Sequence, residues 1–275
     1  MTDQAALARA AASDDLIMED RRGTVAILTL NRPAARNALS LAMIATLHSA
    51  IDRIAQDESV SVVILAAAGP AFCAGHDFKE LTVHRDDDDR GRAFFAETMR
   101  ACAVMMQAIV HCPKPVIAAV HATATAAGCQ LVATCDLAVA ADSAAFAMPG
   151  VNIGLFCSTP MVALSRNVSR KQAMEMLLLG EMLDAGAARD YGLVNRVVPA
   201  DHVMQEAMSM AETIASKSPL TVAIGKEAFY RQLELDLSGA YDYAADVMVR
   251  NMLARDAEEG INAFIEKRPP RWEGR

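Results

Sequence analysis

Residues 60–81 read VSVVILAAAGPAFCAGHDFKEL. The first part, residues 60–68, is almost entirely apolar, which predicts a strand that is buried inside an α/β fold. Gly69 and Pro70 end this strand, and Gly75 allows the backbone to turn tightly before the next helix. A strand, a turn of small residues and a helix together place backbone N–H groups where they can point at a ligand. This stretch is therefore the first candidate for a functional site.

The rest of the chain alternates strand-like and helix-like stretches, which predicts an α/β protein. Strands are predicted at 24–30, 60–68, 115–120, 136–141 and 192–198. Helices are predicted at 41–56, 92–110, 170–179, 184–190, 201–216, 220–248 and 256–266. Side chains that suit helix N-caps precede three helices, at Ser40, Asp77 and Asp184.

Strand patterns stop in the last quarter of the chain, after about Pro219. We therefore expect three parts: an extension over residues 1–20 before the first strand, a mixed core over 21–200, and a helical part over 201–275. A helical part that follows an α/β core usually packs on a neighbouring subunit or folds back as a lid. Four acidic residues at 86–89 predict a solvated loop, with a mobile flap over a pocket as the alternative.

Composition excludes several classes of function. The formal net charge is −8, and no clustered basic face is visible, so binding to nucleic acid is disfavoured. No uninterrupted apolar run approaches the roughly 18–20 residues of a membrane span, which predicts no membrane contact. The first 20 residues carry five acids and one arginine, unlike a secretory or mitochondrial leader. A cytoplasmic location is expected.

The six cysteines contain no C-x-x-C pair, and a chain of 275 residues does not need disulfide staples. Cys73 and His76 have the spacing of half a zinc site, but no second half follows at ligand spacing. We therefore expect buried, reduced thiols and no metal ion.

Six segments, taken in order, resemble one family. They are NRPAARNAL (31–39), FCAGHDF (72–78), ATAAGCQLVATCD (124–136), AFAMPGVNIGL (145–155), DAGAARDYGLVNRVV (184–198) and INAFIEKRPP (261–270). The set spans nearly all of residues 20–270 and resembles the crotonase (enoyl-CoA hydratase/isomerase) superfamily. The resemblance implies a ClpP/crotonase-like spiral of ββα units with a helical C-terminal oligomerisation part. It also implies a homotrimer or a dimer of trimers, and an acyl-CoA thioester as ligand, with CoA as part of the substrate and no other cofactor.

The resemblance implies an oxyanion hole formed by the backbone amides of His76 and Ala127, which would stabilise a thioester enolate. The residues agree, because Gly75 and Gly128 flank the two positions and Ala127 stands at the predicted start of a helix. The two glutamates with which the family's hydratases move protons fall on Gln130 and Gly150. A neutral amide has no useful basicity, and glycine has no side chain.

Positions that match the family's substrate and CoA contacts are Ala35, Arg36, Phe72, Ala74, His76, Asp77, Phe78, Lys79 and Ala127, with Phe264 and Lys267 near the C-terminus. The last two match residues that often reach the ligand from a neighbouring subunit. The His76 ring either enters the site or points to solvent, and His121 is expected to be structural. Residues 157–159 either line the acyl pocket or cap a helix that begins at Pro160.

Three functions stay open from the sequence. The first is an atypical enzyme of the hydratase/isomerase type that uses a water held on Gln130. The second is a non-catalytic acyl-CoA binder or regulator that has lost its acid–base pair. The third is a thioester hydrolase or decarboxylase, which needs fewer acid–base groups. A serine peptidase is disfavoured because the sequence has no G-x-S-x-G motif.

Overall fold

The computed structural model describes residues 16–275. Its strands are β1 (Ile17–Arg22), β2 (Val25–Leu30), β3 (Val62–Ala67), β4 (Val116–Val120), β5 (Ala124–Thr125), β6 (Leu137–Ala141), β7 (Ala145–Ala147), β8 (Leu183–Asp184) and β9 (Arg196–Val198). They form a six-stranded sheet in the order β1-β2-β3-β4-β6-β9 and a three-stranded sheet in the order β5-β7-β8. In the larger sheet only the β1–β2 pair is antiparallel. The predicted α/β class is confirmed.

The α-helices are α1 (Leu41–Gln56), α2 (Phe78–Val83), α3 (Arg92–His111), α4 (Ala127–Thr134), α5 (Pro160–Leu164), α6 (Arg170–Leu179), α7 (Ala185–Tyr191), α8 (Val203–Ala215), α9 (Pro219–Gln232), α10 (Leu237–Met252) and α11 (Arg255–Glu266). The predicted bounds of α1 and α6 are confirmed. Ser40, Asp77 and Asp184 each cap a helix, because their side chains accept hydrogen bonds from the first-turn amides.

The core lies around the larger sheet. Strands β3 and β4 are buried almost throughout, as expected for parallel strands that are covered on both faces. Helix α8 packs on β3, β4 and β6, while α1 and α3 pack along each other. The parallel strands end at one edge of the sheet, and the loops that follow β3 and β4 carry the candidate site.

Three predictions about elements are wrong. The expected extension over 1–20 overlaps β1, whose residues 17–22 pair with β2; an exposed edge strand of charged residues has no alternating pattern to reveal it. Residues 1–15 lie outside the described part. The strand predicted at 192–198 contains only β9, because Gly192 ends α7 in the left-handed conformation. The helix predicted at 220–248 is two helices, since Asp236 caps α10.

Helix α3 departs from the sequence expectation about membranes. By length and composition α3 is apolar enough to cross a membrane. Buried core helices meet the same criteria, and α3 packs along α1 with one face, which carries Cys102, Met105 and Ile109, inside the core. The expectation that no segment is long and apolar enough to span a membrane is therefore wrong for α3, as far as length and composition are concerned.

The helical C-terminal part is attached to the core by a buried ion pair. The Lys226 ammonium group on α9 lies 2.6 Å from the Asp136 carboxylate and also donates to the carbonyls of Ile109 and Lys114. The Tyr230 hydroxyl donates to the other oxygen of Asp136 at 2.9 Å. Asp136 also accepts a hydrogen bond from the amide of Val116, so it anchors the turn before β6.

Candidate active site

Two distant sequence motifs form one structural unit at the edge of the sheet. Asn37 is fully buried, and its side-chain amide donates to the carbonyls of Ala68 and Ala71 at 2.8 and 2.9 Å. The amide of Ala74 donates to the carbonyl of Arg36 at 3.0 Å. Arg36 and Asn37 have φ values of 51° and 52°, a left-handed conformation that asparagine tolerates well. The first motif therefore holds the loop after β3 in place.

Asp77 fixes the end of that loop. Its carboxylate caps α2 and binds the Arg32 guanidinium at 2.6 Å. Burial alone would raise the pKa of Asp77, but the hydrogen bonds from Arg32 and from the amides of the α2 first turn outweigh it and lower the pKa. The carboxylate is thus ionised at neutral pH and serves a structural role, although its position also matches a substrate contact of the family.

The His76 amide is free to bind a ligand. Leu39 forms a parallel bridge with His76: the Leu39 amide donates to the Gly75 carbonyl at 2.8 Å, and the Asp77 amide donates to the Leu39 carbonyl at 3.1 Å. In such a bridge the amide of the central residue points away from the partner segment. Among residues 16–275 no atom accepts a hydrogen bond from the His76 amide.

The Ala127 amide lies opposite, at the first residue of α4, where helix N–H groups have no partner within the helix. A Cβ atom built on Gly75 would lie 3.4 Å from the Ala127 nitrogen. A Cβ on Gly128 would lie 2.1 Å from the Cys73 carbonyl oxygen, so only glycine permits this approach. The Thr125 amide joins the two segments by donating to that same oxygen at 3.0 Å.

Backbone strain marks the same place. Ala126 has φ 49° and ψ −119°, a sparsely populated conformation for a residue with a side chain. Its amide donates to the Ala147 carbonyl at 2.9 Å, which ties the turn to β7. Sequence patterns gave no signal for this residue. The surrounding pairing holds the turn in the one conformation that presents the next amide, that of Ala127.

The His76 side chain is half-buried and its two ring nitrogens are turned away from solvent, so the alternative that the ring points to solvent is wrong. Both ring nitrogens are buried and neither has a hydrogen-bond partner in the described chain. Burial lowers the pKa of His76. The ring is therefore neutral at neutral pH. His121, by contrast, has the structural role that we expected, since its Nε2 lies 2.8 Å from the Gly69 carbonyl oxygen.

Gln130 lies in the first turn of α4 with only 4% of its surface exposed. Its side-chain oxygen is buried and has no partner among residues 16–275. A buried acceptor without a donor is unfavourable, by about 1–3 kcal/mol, unless a ligand or a water molecule supplies one. Gln130 is thus able to accept a hydrogen bond from a small polar group at the first turn of α4.

Gly150 has no room for a larger residue. A Cβ atom there would lie 2.8 Å from the Leu155 carbonyl oxygen and 2.9 Å from the Cys157 sulfur. At this position, where the resemblance implies a carboxylate in the family's hydratases, the backbone turn therefore leaves no space for a side chain. Helix α5 begins at Pro160 without a side-chain cap, so the capping role considered for residues 157–159 is wrong.

The other positions predicted to contact CoA lie at three places in the structure. Ala35, Arg36 and Ala74 lie together through the Arg36–Ala74 hydrogen bond, and Phe78 and the Lys79 side chain are exposed beside them. The Phe72 side chain is fully buried, so a ligand there would meet only its backbone. Phe264, 84% exposed, and Lys267 belong to the α11 region, which packs on α9 and α10. Their contact with CoA stays a prediction that depends on a neighbouring copy.

The six thiols are buried, as the sequence predicted. All six cysteines are buried and unpaired. Burial raises the pKa of Cys73 to about 12. Within residues 16–275 no group of three or more His, Cys, Asp or Glu side chains lies at metal-binding distances.

Comparisons with known proteins agree with this geometry. The family model described as Enoyl-CoA hydratase/isomerase matches residues 20–275. Enoyl-CoA hydratase domain-containing protein 3, mitochondrial, from Mus musculus is 50% identical over 245 residues, which cover 89% of this chain and 80% of that protein. A probable enoyl-CoA hydratase, echA8, of Mycobacterium tuberculosis is 35% identical over 259 residues, 94% of this chain and 98% of that one.

Solved structures give the same result. The crystal structure of an enoyl-CoA hydratase from Mycobacterium smegmatis matches with a TM-score of 0.89 at 52% identity, covering 94% of this chain and 98% of that one. Human enoyl-CoA hydratase domain-containing protein 3 also matches with a TM-score of 0.89, at 47% identity and with 94% and 100% of the chains covered. The chain therefore has the crotonase fold and belongs to the enoyl-CoA hydratase/isomerase family, with similarity to its domain-containing protein 3 members.

Proposed function

We propose that this protein binds an acyl-CoA thioester and stabilises its enolate in an oxyanion hole formed by the amides of His76 and Ala127. One observation carries the proposal: two unpartnered amides are held on facing segments that approach as closely as Gly128 allows. Such a donor typically lowers the barrier of an acyl-transfer or enolate-forming step by about 3–4 kcal/mol. The family's names fit a lyase or isomerase that acts on CoA thioesters.

The acid–base pair of the family is replaced. Positioned acids and bases typically contribute about 10²- to 10⁴-fold to a rate, and neither Gln130 nor Gly150 can act as one. Ordinary hydration of an enoyl thioester should therefore be slow. A non-catalytic acyl-CoA binder or regulator is the second candidate, favoured by the filled space at Gly150.

Oligomerisation is proposed from the surface of the C-terminal helices. Large apolar side chains on α9–α11 are exposed, among them Phe229, Leu237, Tyr241, Met248, Val249, Met252, Phe264 and Ile265. Exposed apolar surface of this extent is typical of an interface between subunits. We propose a homotrimer or a dimer of trimers. The cytoplasmic location expected from the acidic N-terminal stretch also stays a prediction, and the name of the mouse relative places that protein in mitochondria.

The test combines hydration of crotonyl-CoA, followed by absorbance, with thermal shifts on acetyl-, crotonyl- and longer acyl-CoA. We expect each thioester to raise the melting temperature and hydration to be at least 10²-fold slower than is usual for the family. Gln130→Ala should reduce any turnover that remains. Hydration at an ordinary rate would show that another group replaces the glutamates, and the absence of any thermal shift would refute acyl-CoA binding.

CoA recognition can be tested separately. Lys79→Met should weaken CoA binding several-fold and reduce its dependence on salt, because an exposed cation near a phosphate acts through a screened charge. Lys171→Met, at an exposed lysine on α6, is the matched control and should bind as the wild type does. Equal affinity of the two variants would remove Lys79 from the proposed site.

A further inference from the structure

Buried polar atoms without a hydrogen-bond partner concentrate in one part of the molecule. Within residues 16–275 there are five such side-chain atoms: both ring nitrogens of His76, the hydroxyl of Thr98, the amide oxygen of Gln130 and the hydroxyl of Tyr243. Buried polar groups in folded proteins nearly always have a partner, so each exception needs an explanation. His76 and Gln130 belong to the two segments that carry the proposed oxyanion amides, which leaves the position of Thr98 to be established.

Thr98 lies on α3 and is 1% exposed. A threonine on a helix commonly donates to the carbonyl four residues earlier, and Thr46, Thr134 and Thr213 do so in this chain. The Thr98 hydroxyl makes no such bond. It is therefore available to a group outside its own helix.

Contacts on both sides of Thr98 show what this face of α3 meets. Thr98 shares the face with Phe94 and Cys102, because residues four apart along a helix are neighbours. The Phe94 ring stacks on the His84 ring, with centroids 3.6 Å apart. Burial raises the pKa of Cys73, and the neighbouring Cys102 thiol adds to this effect. Thr98 therefore faces the middle of the loop and helix between these two contacts, where the first proposed oxyanion amide lies.

The same face of α3 runs alongside α4. Thr134, the last residue of α4, donates to the Met106 sulfur at 3.4 Å. The loop beside Cys102 approaches the first turn of α4 as closely as Gly128 allows. From Met106 to Cys102, α3 thus passes from the last turn of α4 to its first turn. Thr98, one turn or about 6 Å further along, therefore lies beyond the N-terminal end of α4, where the second proposed amide is.

We propose that Thr98, together with Gln130 and the His76 ring, selects an acyl-CoA whose acyl chain carries a hydroxyl group remote from the thioester carbonyl. The proposal rests on the proposed function and names its substrate class. The Gln130 oxygen can only accept a hydrogen bond, so the ligand group must donate one. The Thr98 hydroxyl and a neutral histidine ring can each donate or accept. A hydroxyl group supplies both roles, whereas a plain alkyl chain supplies neither.

The charge of the three side chains restricts the class further. Threonine and glutamine are uncharged, and the His76 ring is neutral at neutral pH. A buried carboxylate on the acyl chain would need a cation to compensate it. The substrate class is therefore a hydroxyacyl-CoA and not a thioester with a second carboxylate.

The test compares two CoA thioesters of equal chain length, 4-hydroxybutyryl-CoA and pentanoyl-CoA, which differ by a hydroxyl in place of the terminal methyl group. Calorimetric titration of the full-length protein measures both affinities. The wild type should bind the freshly prepared hydroxylated thioester about 10-fold more tightly. Thr98→Val, which replaces the hydroxyl by a methyl group of similar size, should bind both equally. Thr98→Ser, which keeps the hydroxyl, should keep the preference.

Stability gives a second readout. Thr98→Val should raise the melting temperature of the ligand-free protein by about 2–4 °C, because it removes a buried hydroxyl that has no partner. Thr134→Val is the matched control. The Thr134 hydroxyl donates to the Gln130 carbonyl at 2.8 Å, so valine there should lower the melting temperature and leave the preference for the hydroxylated thioester unchanged.

Each contrary result overturns a different part of the reasoning. Equal affinity of the wild type for both thioesters would refute the substrate class and leave acyl-CoA binding intact. A preference that Thr98→Val retains would remove Thr98 from the site. A lower melting temperature of Thr98→Val would show that the hydroxyl has a partner in the free protein, which would also overturn the proposal. If neither thioester binds, the proposed function itself fails.

Discussion

Replacing Gly128 with alanine tests the close approach that would form the proposed oxyanion hole. The added methyl group would stand 2.1 Å from the carbonyl oxygen of Cys73 and 2.7 Å from its carbonyl carbon. A carbon–oxygen contact requires about 3.3 Å, so the two segments must separate by about 1.2 Å. That movement strains the hydrogen bond from the Thr125 amide to the same oxygen, which is 3.0 Å long in the native chain.

The magnitude follows from two contributions. Overpacking of a core position typically destabilises by about 1–3 kcal/mol, and a weakened backbone hydrogen bond adds about 1 kcal/mol. We expect Gly128→Ala to lower the free energy of unfolding by about 2–4 kcal/mol. Because the amides of His76 and Ala127 lie on the two separated segments, the thermal shift with acyl-CoA should also decrease.

Urea unfolding monitored by circular dichroism measures the stability, with Gly225→Ala as the matched control. Gly225 lies inside α9, and a Cβ there would meet nothing within 4 Å. Alanine should therefore stabilise that helix by about 0.5–1 kcal/mol, since glycine has the larger conformational freedom in the unfolded chain. The reasoning is refuted if Gly128→Ala is as stable as the wild type and binds acyl-CoA equally well.

Three further predictions concern buried polar and ionisable groups. Lys226→Met should leave the Asp136 carboxylate without its cation and lower the free energy of unfolding by about 3–5 kcal/mol, whereas the exposed Lys171→Met should change it by less than about 0.5 kcal/mol in the same urea titration. Burial alone would raise the pKa of Asp256, but hydrogen bonds from the Ser218 hydroxyl and two C-terminal amides outweigh it and lower the pKa below its usual 3.8. The ionised carboxylate therefore contributes its full stability above about pH 4, and this contribution is lost as the pH falls through the lowered pKa. Asp256→Asn should make the free energy of unfolding depend less on pH in this acidic range. The buried thiols should react with a disulfide reagent at pH 8 only after unfolding, when all six react; rapid reaction of the native protein would contradict their burial.

Much of the fold could be predicted from local patterns. The apolar run of residues 60–68 contains β3, and the helical spacing with Ser40 as cap gives α1 to the residue. Both signals arise within one element, so a single stretch of sequence carries them. The edge strand β1 carries mostly charged, exposed residues and gives no such signal, because its stability comes from pairing with β2.

The candidate site likewise combines features that the sequence shows with contacts that it does not show. The glycines at 75 and 128 and the identities of Gln130 and Gly150 are visible in the sequence, since they stand at motif positions. The partners of these residues are not visible. Arg32 and Asp77 are 45 positions apart, and nothing in their spacing indicates that they form an ion pair.

The sequence by itself determined the α/β class, most of the large strands and helices, and the candidate positions of the site. Only the tertiary structure decided that both His76 ring nitrogens are buried without a partner among residues 16–275, that Lys226 joins the C-terminal helices to Asp136, and that Cys157 fills the space beside Gly150. The physical reason is the distance along the sequence between the residues that determine each feature. Periodicity, caps and turns are set by neighbouring residues, whereas burial and close contact depend on segments that meet only after the chain has folded.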